Sequence, residues 1–318
     1  MIIPLARDTD ASYNPAMTDD HQARYSDLVE FELRPDPNDT RLTQQVSGID
    51  HHGKPADAAI VCERPLTLFL NSQEIVTTMT IGDHPELLAV GFLKNQGMLK
   101  LDDTITAIDY DDDLNVIVVR TARTTNYEET LRKRVQTSGC GQGTAFGDLM
   151  ETFRAVQLSP NAIIKTSWLY VLTQKINTSP SLYLKAGAIH GCVLAHQDCP
   201  LIYVEDVGRH NAVDKIAGYM QLNTVSPHDK IFYTTGRLTS EMVIKCVTMG
   251  IPILVSRSGF TALGVEHARS AGLTLIGRAR GKRFIALSGE DRILFDADPQ
   301  SRLEDPKSTS RKAAEADL

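Results

Sequence analysis

Leu201-Ile202-Tyr203-Val204-Glu205-Asp206-Val207-Gly208-Arg209-His210 opens the stretch whose plan decides the fold. A β-prone run, Leu201 to Val204, enters a polar loop and then a helix carrying Ala212, Val213, Ile216 and Ala217 on one face. The plan returns twice. Lys230-Ile231-Phe232-Tyr233 runs into Thr234-Thr235-Gly236-Arg237 and a helix starting near Thr239 or Ser240. Ile253-Leu254-Val255 runs into Ser256-Arg257-Ser258-Gly259 and a third helix. Gly250 and Gly272 stand where these helices should end, because glycine accepts the left-handed residue of a C-cap. Leu273-Thr274-Leu275-Ile276 and Phe284-Ile285-Ala286-Leu287 add two strands. Repeated strand–loop–helix units predict an α/β fold with a mostly parallel, helix-covered sheet.

Upstream the character changes to β-rich. Residues 65–70 and 75–80 flank Asn71-Ser72 as a hairpin, and residues 85–93 form a short helix after Asp83. Residues 104–110 and 114–120 flank Asp111-Asp112-Asp113, which reads as a solvated turn rather than a metal site. Residues 1–55 lack any sustained period and read as a flexible extension, and 299–318 as a loose tail. This leaves a smaller β-rich domain at 56–135 and an α/β domain at 136–298.

With 318 residues, 33 Lys+Arg against 40 Asp+Glu and a net charge of −7, the chain is no general nucleic-acid coat protein. No apolar stretch approaches the roughly 18 residues of a membrane span, and the N-terminus has no secretory pattern. Five cysteines, an odd number without framework spacing, suit a reducing, cytoplasmic compartment.

In open α/β sheets ligands bind beyond the carboxyl ends of the strands. Three successive loops at that edge bring Arg209, Arg237 and Arg257, each with Gly or Ser/Thr beside it. Glycine lets the backbone approach, helix N-termini offer free N–H groups, and arginine presents a fork to phosphate oxygens. An anionic, phosphorylated ligand is the expectation. Arg278-Ala279-Arg280-Gly281-Lys282-Arg283 follows a strand end and is read either as a phosphate contact or as a basic turn facing solvent; its edge position favours the former. His190 and His210 are weak candidates for ligand contact or proton transfer. Cys140, in Thr137-Ser138-Gly139-Cys140-Gly141-Gln142-Gly143-Thr144, is either a nucleophile on an uncrowded loop or an incidental cysteine in a glycine-rich turn. Cys62, Cys192, Cys199 and Cys246 read as small buried hydrophobes.

Val204 through Lys215 (VEDVGRHNAVDK), Thr235 through Lys245 (TGRLTSEMVIK), Gly250-Ile251-Pro252 and Ser256-Arg257-Ser258 resemble, in order, the blocks of the FdhD family, formate dehydrogenase accessory sulfurtransferases. Glu63-Arg64-Pro65-Leu66, Met79-Thr80 and residues 86–93 are similar to that family's N-terminal block, so the likeness runs from about Cys62 to Leu287. The resemblance implies a cytidine-deaminase-like larger domain, a homodimer, and a sulfur carrier acting between a cysteine desulfurase and formate dehydrogenase. The cargo would be the bis(molybdopterin guanine dinucleotide) molybdenum cofactor, bound as substrate, with no resident metal. It places the reactive cysteine at Cys140 and the cofactor segment at Arg278 through Arg283, with Arg209, His210 and Arg237 as further contacts. Many members have Cys-x-x-Cys at the reactive loop; here Gly143 fills the second position, which leaves a single-thiol carrier. Two other readings compete: a cofactor chaperone that moves no sulfur, and a zinc deaminase. The latter needs a Cys-x-x-Cys that this chain lacks.

Overall fold

The computed structural model describes residues 30–100, 103–123, 134–137 and 140–300. Part of the segment read as a flexible extension is built into the body. Phe31 N–H donates to the Pro200 carbonyl at 2.8 Å and Tyr203 N–H to the Leu33 carbonyl at 2.7 Å, which lays Leu33 parallel to Ile202. Phe31 and Leu33 pack against the cores on opposite faces of the large sheet. Three residues are too few to show a period; the open strand edge beside them supplies the order. β1 (Thr43–Ile49) and β2 (Pro55–Val61) then form an antiparallel hairpin, so the boundary expected at 56 falls inside a strand. The rest of the extension, 1–29, and the tail from 301 lie outside the described residues.

The smaller module follows the expected pattern. β3 (Arg64–Leu70) and β4 (Gln73–Thr80) pair around Asn71, whose φ of 54° is a left-handed turn conformation that Asn tolerates. α1 (Pro85–Asn95), β5 (Ile105–Asp111) and β6 (Val116–Thr121) complete it, with strand order β4-β3-β6-β5. Leu66, Leu68, Leu70, Ile117 and Val119 meet Leu88, Val90 and Leu93 of α1 in one core. The acid triplet is a turn, as expected: Asp111 Oδ1 accepts from Leu114 N–H, and Asp112 accepts from Arg64 and Tyr110.

β7 (Arg134–Thr137) and β8 (Cys140–Ala145) form a hairpin leading to α2 (Phe146–Ala155). β9 (Ile164–Lys165), α3 (Thr166–Thr178) and α4 (Leu182–Ala186) precede the large sheet. That sheet comprises β10 (His190–His196), β11 (Cys199–Asp206), β12 (Lys230–Thr234), β13 (Ile253–Ser256), β14 (Thr274–Arg280) and β15 (Arg283–Ser288). Between them run α5 (Arg209–Leu222), α6 (Ser240–Thr248) and α7 (Ala262–Ala271). A final short strand, β16 (Ile293–Leu294), pairs with β9. No described helix is long and apolar enough to cross a membrane.

The large sheet corrects the expected one. Its order is β11-β10-β12-β13-β14-β15, and only β12–β13 and β13–β14 are parallel; the other three pairings are antiparallel. β10 is the strand the sequence plan lacks, and it inserts between β11 and β12. Reversing twice around β10 leaves β11, β12, β13 and β14 pointing the same way, so their carboxyl ends still share one edge. Both faces are covered: Cys192, Leu194, Phe232 and Leu254 meet α5, α6 and α7, whereas Val193, Tyr233 and Val255 meet α3. Strands buried on both sides read as unbroken apolar runs, which is why they were legible.

The two modules join where α1 crosses α5. A Cβ on Gly91 would lie 1.6 Å from the Asp214 carbonyl oxygen, and one on Gly218 would lie 1.9 Å from that of Leu87, so neither position admits a side chain. A buried polar network closes the seam. Lys215, fully buried, places Nζ 2.7 Å from Asp206 Oδ2, 2.9 Å from the Glu205 carbonyl, and against Asp83 of the smaller module. Thr80 donates to Asp206 at 2.6 Å, Asn211 Nδ2 to the Met79 carbonyl at 2.7 Å, and Asn95 Nδ2 to Asp214 at 2.7 Å; Lys245 pairs with Asp214 at 2.8 Å. Burial opposes the Lys215 charge, yet Asp206 and Asp83 outweigh it and hold the ammonium pKa above its ordinary value.

Candidate functional site

The carboxyl edge of the large sheet is a set of loops tied to one another. Gly236 N–H donates to Thr234 Oγ1 at 3.1 Å, and Thr235 N–H donates to the Gly191 carbonyl at 2.9 Å. Ser256 Oγ donates to the Gly236 carbonyl at 2.6 Å and accepts from Ser258 N–H at 2.9 Å. The Ser258 carbonyl in turn accepts from Arg278 N–H at 2.8 Å. The Ser256 hydroxyl therefore ties the loop after β13 to the loop after β12, and backbone bonds extend the register to Gly191 of β10 and to the end of β14. Gly236 has a steric role too: a Cβ there would meet Arg209 Cβ and Cδ at 3.4 Å, so the arginine stem lies across the glycine.

Two groups of side chains result. In the first, Arg209 opens α5, His210 follows it, Arg237 leaves β12, and His190 opens β10 opposite Asp206. Burial lowers the His190 pKa, and the neighbouring Arg209, His210 and Arg237 lower it further against Asp206. Gly236, next to Arg237, packs against the Arg209 stem, and Thr235 N–H bonds the Gly191 carbonyl beside His190, so the loops carrying these residues lie together. His210 Nδ1 lies 2.8 Å from Glu241 Oε1 in the first turn of α6; burial keeps the imidazole neutral although Glu241 favours its charge. The group presents two fixed cations beside two neutral imidazoles, a donor set suited to phosphate oxygens.

In the second group, Arg257 sits with its guanidinium carbon 5.2 Å from the Tyr183 ring centre, in a recess lined also by Tyr203, Tyr233, Thr235 and Ser181. The Tyr233 hydroxyl is buried with no hydrogen-bond partner among the described residues. Burial pushes its pKa up to about 12 even though Arg257 and Arg280 pull the other way. Tyr183, Tyr203, Tyr233 and Glu241 are the neighbours that sequence reasoning missed. The tyrosines read as ordinary strand and helix residues, and only the alternation of strand side chains places Tyr233 beneath Arg257.

The basic segment is not a loop after a strand. Arg278 to Arg280 end β14, Gly281 turns with φ 58°, and Arg283 starts β15 opposite Arg280. Arg278, Arg280 and Arg283 are exposed at the edge. Ala279, 1% exposed, belongs to the core beneath them, and Lys282 is turned aside, with Nζ 3.0 Å from the Asp298 carbonyl and 5.4 Å from the Tyr170 ring centre. A hairpin needs one face inward, so three of the six residues face solvent as arginines and Ala279 does not.

Cys140 begins β8, paired with Thr137, six residues before α2; its side chain lies outside the described residues. The other thiols are located. Cys192 and Cys246 are wholly buried; burial pushes the Cys192 thiol up to about 12 and raises that of Cys246. Cys199 is raised by burial as well, and Cys62 is partly covered. Among the described residues no three His, Cys, Asp or Glu side chains are placed to hold a metal ion.

Fold and edge together define a mixed α/β protein whose large sheet carries a cluster of arginines along its carboxyl edge, with a cysteine at the start of a separate hairpin. The chain belongs to the FdhD/NarQ family, whose profile matches residues 61–294. It is 30% identical over 235 residues to the sulfur carrier protein FdhD of Bacillus pumilus, covering 74% of this chain and 90% of that one. It is also 30% identical over 241 residues to the protein so named in Bacillus subtilis, covering 74% and 90%. A solved structure from Desulfotalea psychrophila, assigned as a formate dehydrogenase accessory protein, superposes with a TM-score of 0.64 at 30% identity, covering 79% of this chain and 98% of that one.

Proposed function

We propose that this chain is a cytoplasmic sulfur carrier for formate dehydrogenase, working as a homodimer. In the loading step the Cys140 thiolate attacks the sulfane sulfur of a cysteine desulfurase persulfide. The donor's S–S bond breaks, its cysteine leaves as thiolate, and a persulfide remains on Cys140. The acceptor is the bis(molybdopterin guanine dinucleotide) molybdenum cofactor, bound as cargo. Arg209 and Arg237, with Arg257, Arg278, Arg280 and Arg283, supply its phosphate contacts, and His210 and His190 supply neutral hydrogen-bonding groups. Gly143, on the same strand as Cys140, stands where a second thiol would be, so the sulfur leaves Cys140 without a disulfide to that position.

The observation that supports this reading is the contrast between Cys140 and the two cysteines of the large sheet's core. Cys192 and Cys246 are sealed and held protonated, whereas Cys140 stands on a strand flanked by Gly139, Gly141 and Gly143. Intact-mass measurement after incubation with a cysteine desulfurase and cysteine tests it: one added sulfur, absent in Cys140→Ser, supports the carrier. Nucleotide binding and dehydrogenase activation with Cys140 never loaded would leave a cofactor chaperone instead.

A further inference from the structure

Glu205 is the one acidic residue of 204–215 whose carboxylate serves neither the seam between the modules nor the arginine edge. It lies near the end of β11 and is 0% exposed. Lys215 bonds its carbonyl, and among the described residues no cation lies within ion-pair distance of its carboxylate. A buried carboxylate without a cation is costly. Burial raises its pKa, against the hydrogen bonds it accepts. Those bonds come from three donors. Oε2 accepts from Leu182 N–H at 2.7 Å, and Oε1 accepts from Tyr183 N–H at 3.2 Å and from the Tyr203 hydroxyl at 3.0 Å.

The donors fix α4. Ser181 Oγ accepts from Leu184 N–H at 3.3 Å and the Ser181 carbonyl from Lys185 N–H at 3.2 Å, so every free N–H of this short first turn is taken. Leu182 is buried with Leu42, Ile81 and Ile189, and Gly187, φ 64°, closes the other end with its N–H on the Tyr183 carbonyl. Tyr183 is thereby held with its ring centre 5.2 Å from the Arg257 guanidinium carbon. Among the described residues no carboxylate pairs with Arg257. A ring orients a guanidinium without neutralising it, which leaves the charge and its N–H fork for an anion. Tyr203 reaches the same recess: its ring closes over Gly191, where a Cβ would lie 2.7 Å from it, and Gly191 N–H donates to Thr235 Oγ1 at 3.0 Å.

We propose that Glu205 is a positioning residue for the ligand edge: its carboxylate anchors the Tyr183 turn, and the Tyr183 ring orients Arg257 toward the phosphates of a nucleoside diphosphate. This inference rests on the nucleotide-binding part of the function proposed above and deepens it. The donor count requires the acid. A glutamine offers one acceptor oxygen and an NH2 group, so one of the two main-chain N–H groups would face another donor. Being sealed from solvent, Glu205 acts through Tyr183.

The test is GDP affinity by calorimetry on the full chain, with the melting temperature of each variant measured alongside. Tyr183→Leu should weaken GDP binding roughly three- to tenfold, the effect of having to order one freed arginine. Tyr183→Phe keeps the ring and should bind as the wild type does. Glu205→Gln should lose the same factor, and adding Tyr183→Leu to it should cause no further loss, because both changes reach Arg257 through one contact. Glu205→Asp, with the charge on an arm one methylene shorter, replaces the amide if that variant does not fold, with the same expectation. Losses that multiply in the double variant, or Tyr183→Phe binding no better than Tyr183→Leu, indicate a general loosening of the fold and overturn the positioning role. Wild-type affinity in the Glu205 variant or in Tyr183→Leu overturns it as well and leaves the nucleotide reading standing. An unsubstituted chain that binds no GDP overturns both.

Discussion

Lys215→Met should loosen the joint between the modules and, through it, the ligand edge. The ammonium is fully buried and paired with Asp206, 0% exposed, and Asp83, 13% exposed, so solvent screens little of the interaction. Methionine keeps the length of the stem but strands two carboxylates. Removing one partner of a buried ion pair costs about 3–5 kcal/mol. For a body of this size about 1 kcal/mol corresponds to roughly 2–4 °C, so the melting temperature should fall by about 6–20 °C. Because a stranded carboxylate can take up a proton, the loss should be larger at pH 7 than at pH 5. Adding Asp83→Asn removes one of the stranded charges and should recover part of the loss. Urea unfolding of the wild type, the single variant and the pair measures these terms as a cycle. A Lys215→Met chain within about 1 kcal/mol of wild type would refute the reasoning, since the network would then be a passenger of the fold.

Cys140→Ser should fold and bind GDP as the wild type does, yet gain no sulfur by mass spectrometry and leave formate dehydrogenase inactive; activation by this variant sinks the carrier reading. Arg280→Ala with Arg283→Ala should weaken GDP binding by about tenfold or more while sulfur loading persists, and wild-type affinity should fall as salt rises, measured by calorimetry. Unchanged affinity in that pair removes the β14–β15 hairpin from the site. His190 and His210 have folded pKa values below their unfolded ones, so the unfolded chain takes up protons first; their contribution is present above about pH 6.5 and is lost as pH falls through the lowered values. His190→Asn should therefore flatten the fall in stability between pH 7 and pH 5, and an unchanged slope speaks against the burial assigned to it.

The sequence by itself determined much of the large sheet. Strands buried on both faces appear as unbroken runs such as Ile231-Phe232-Tyr233, and the glycines and arginines after them mark the loops where helices begin. The carboxyl-edge placement of Arg209, Arg237 and Arg257 followed from that plan alone. Tertiary structure decided the rest. β10 has the same buried, apolar character as its neighbours, but its place between β11 and β12, and with it the mixed sheet, depends on pairing between residues distant in the chain. Sequence reading took Val204 through Lys215 as a family signature, with Arg209 and His210 as its ligand contacts. In the fold, Asp206, Asn211, Asp214 and Lys215 turn inward to hold the smaller module, leaving Arg209 and His210 at the edge. A helix of alternating polar residues cannot announce which of them will be buried, because that depends on the second helix laid against it. The close approach of Gly91 and Gly218 sets this arrangement, and neither glycine says so until α1 and α5 cross.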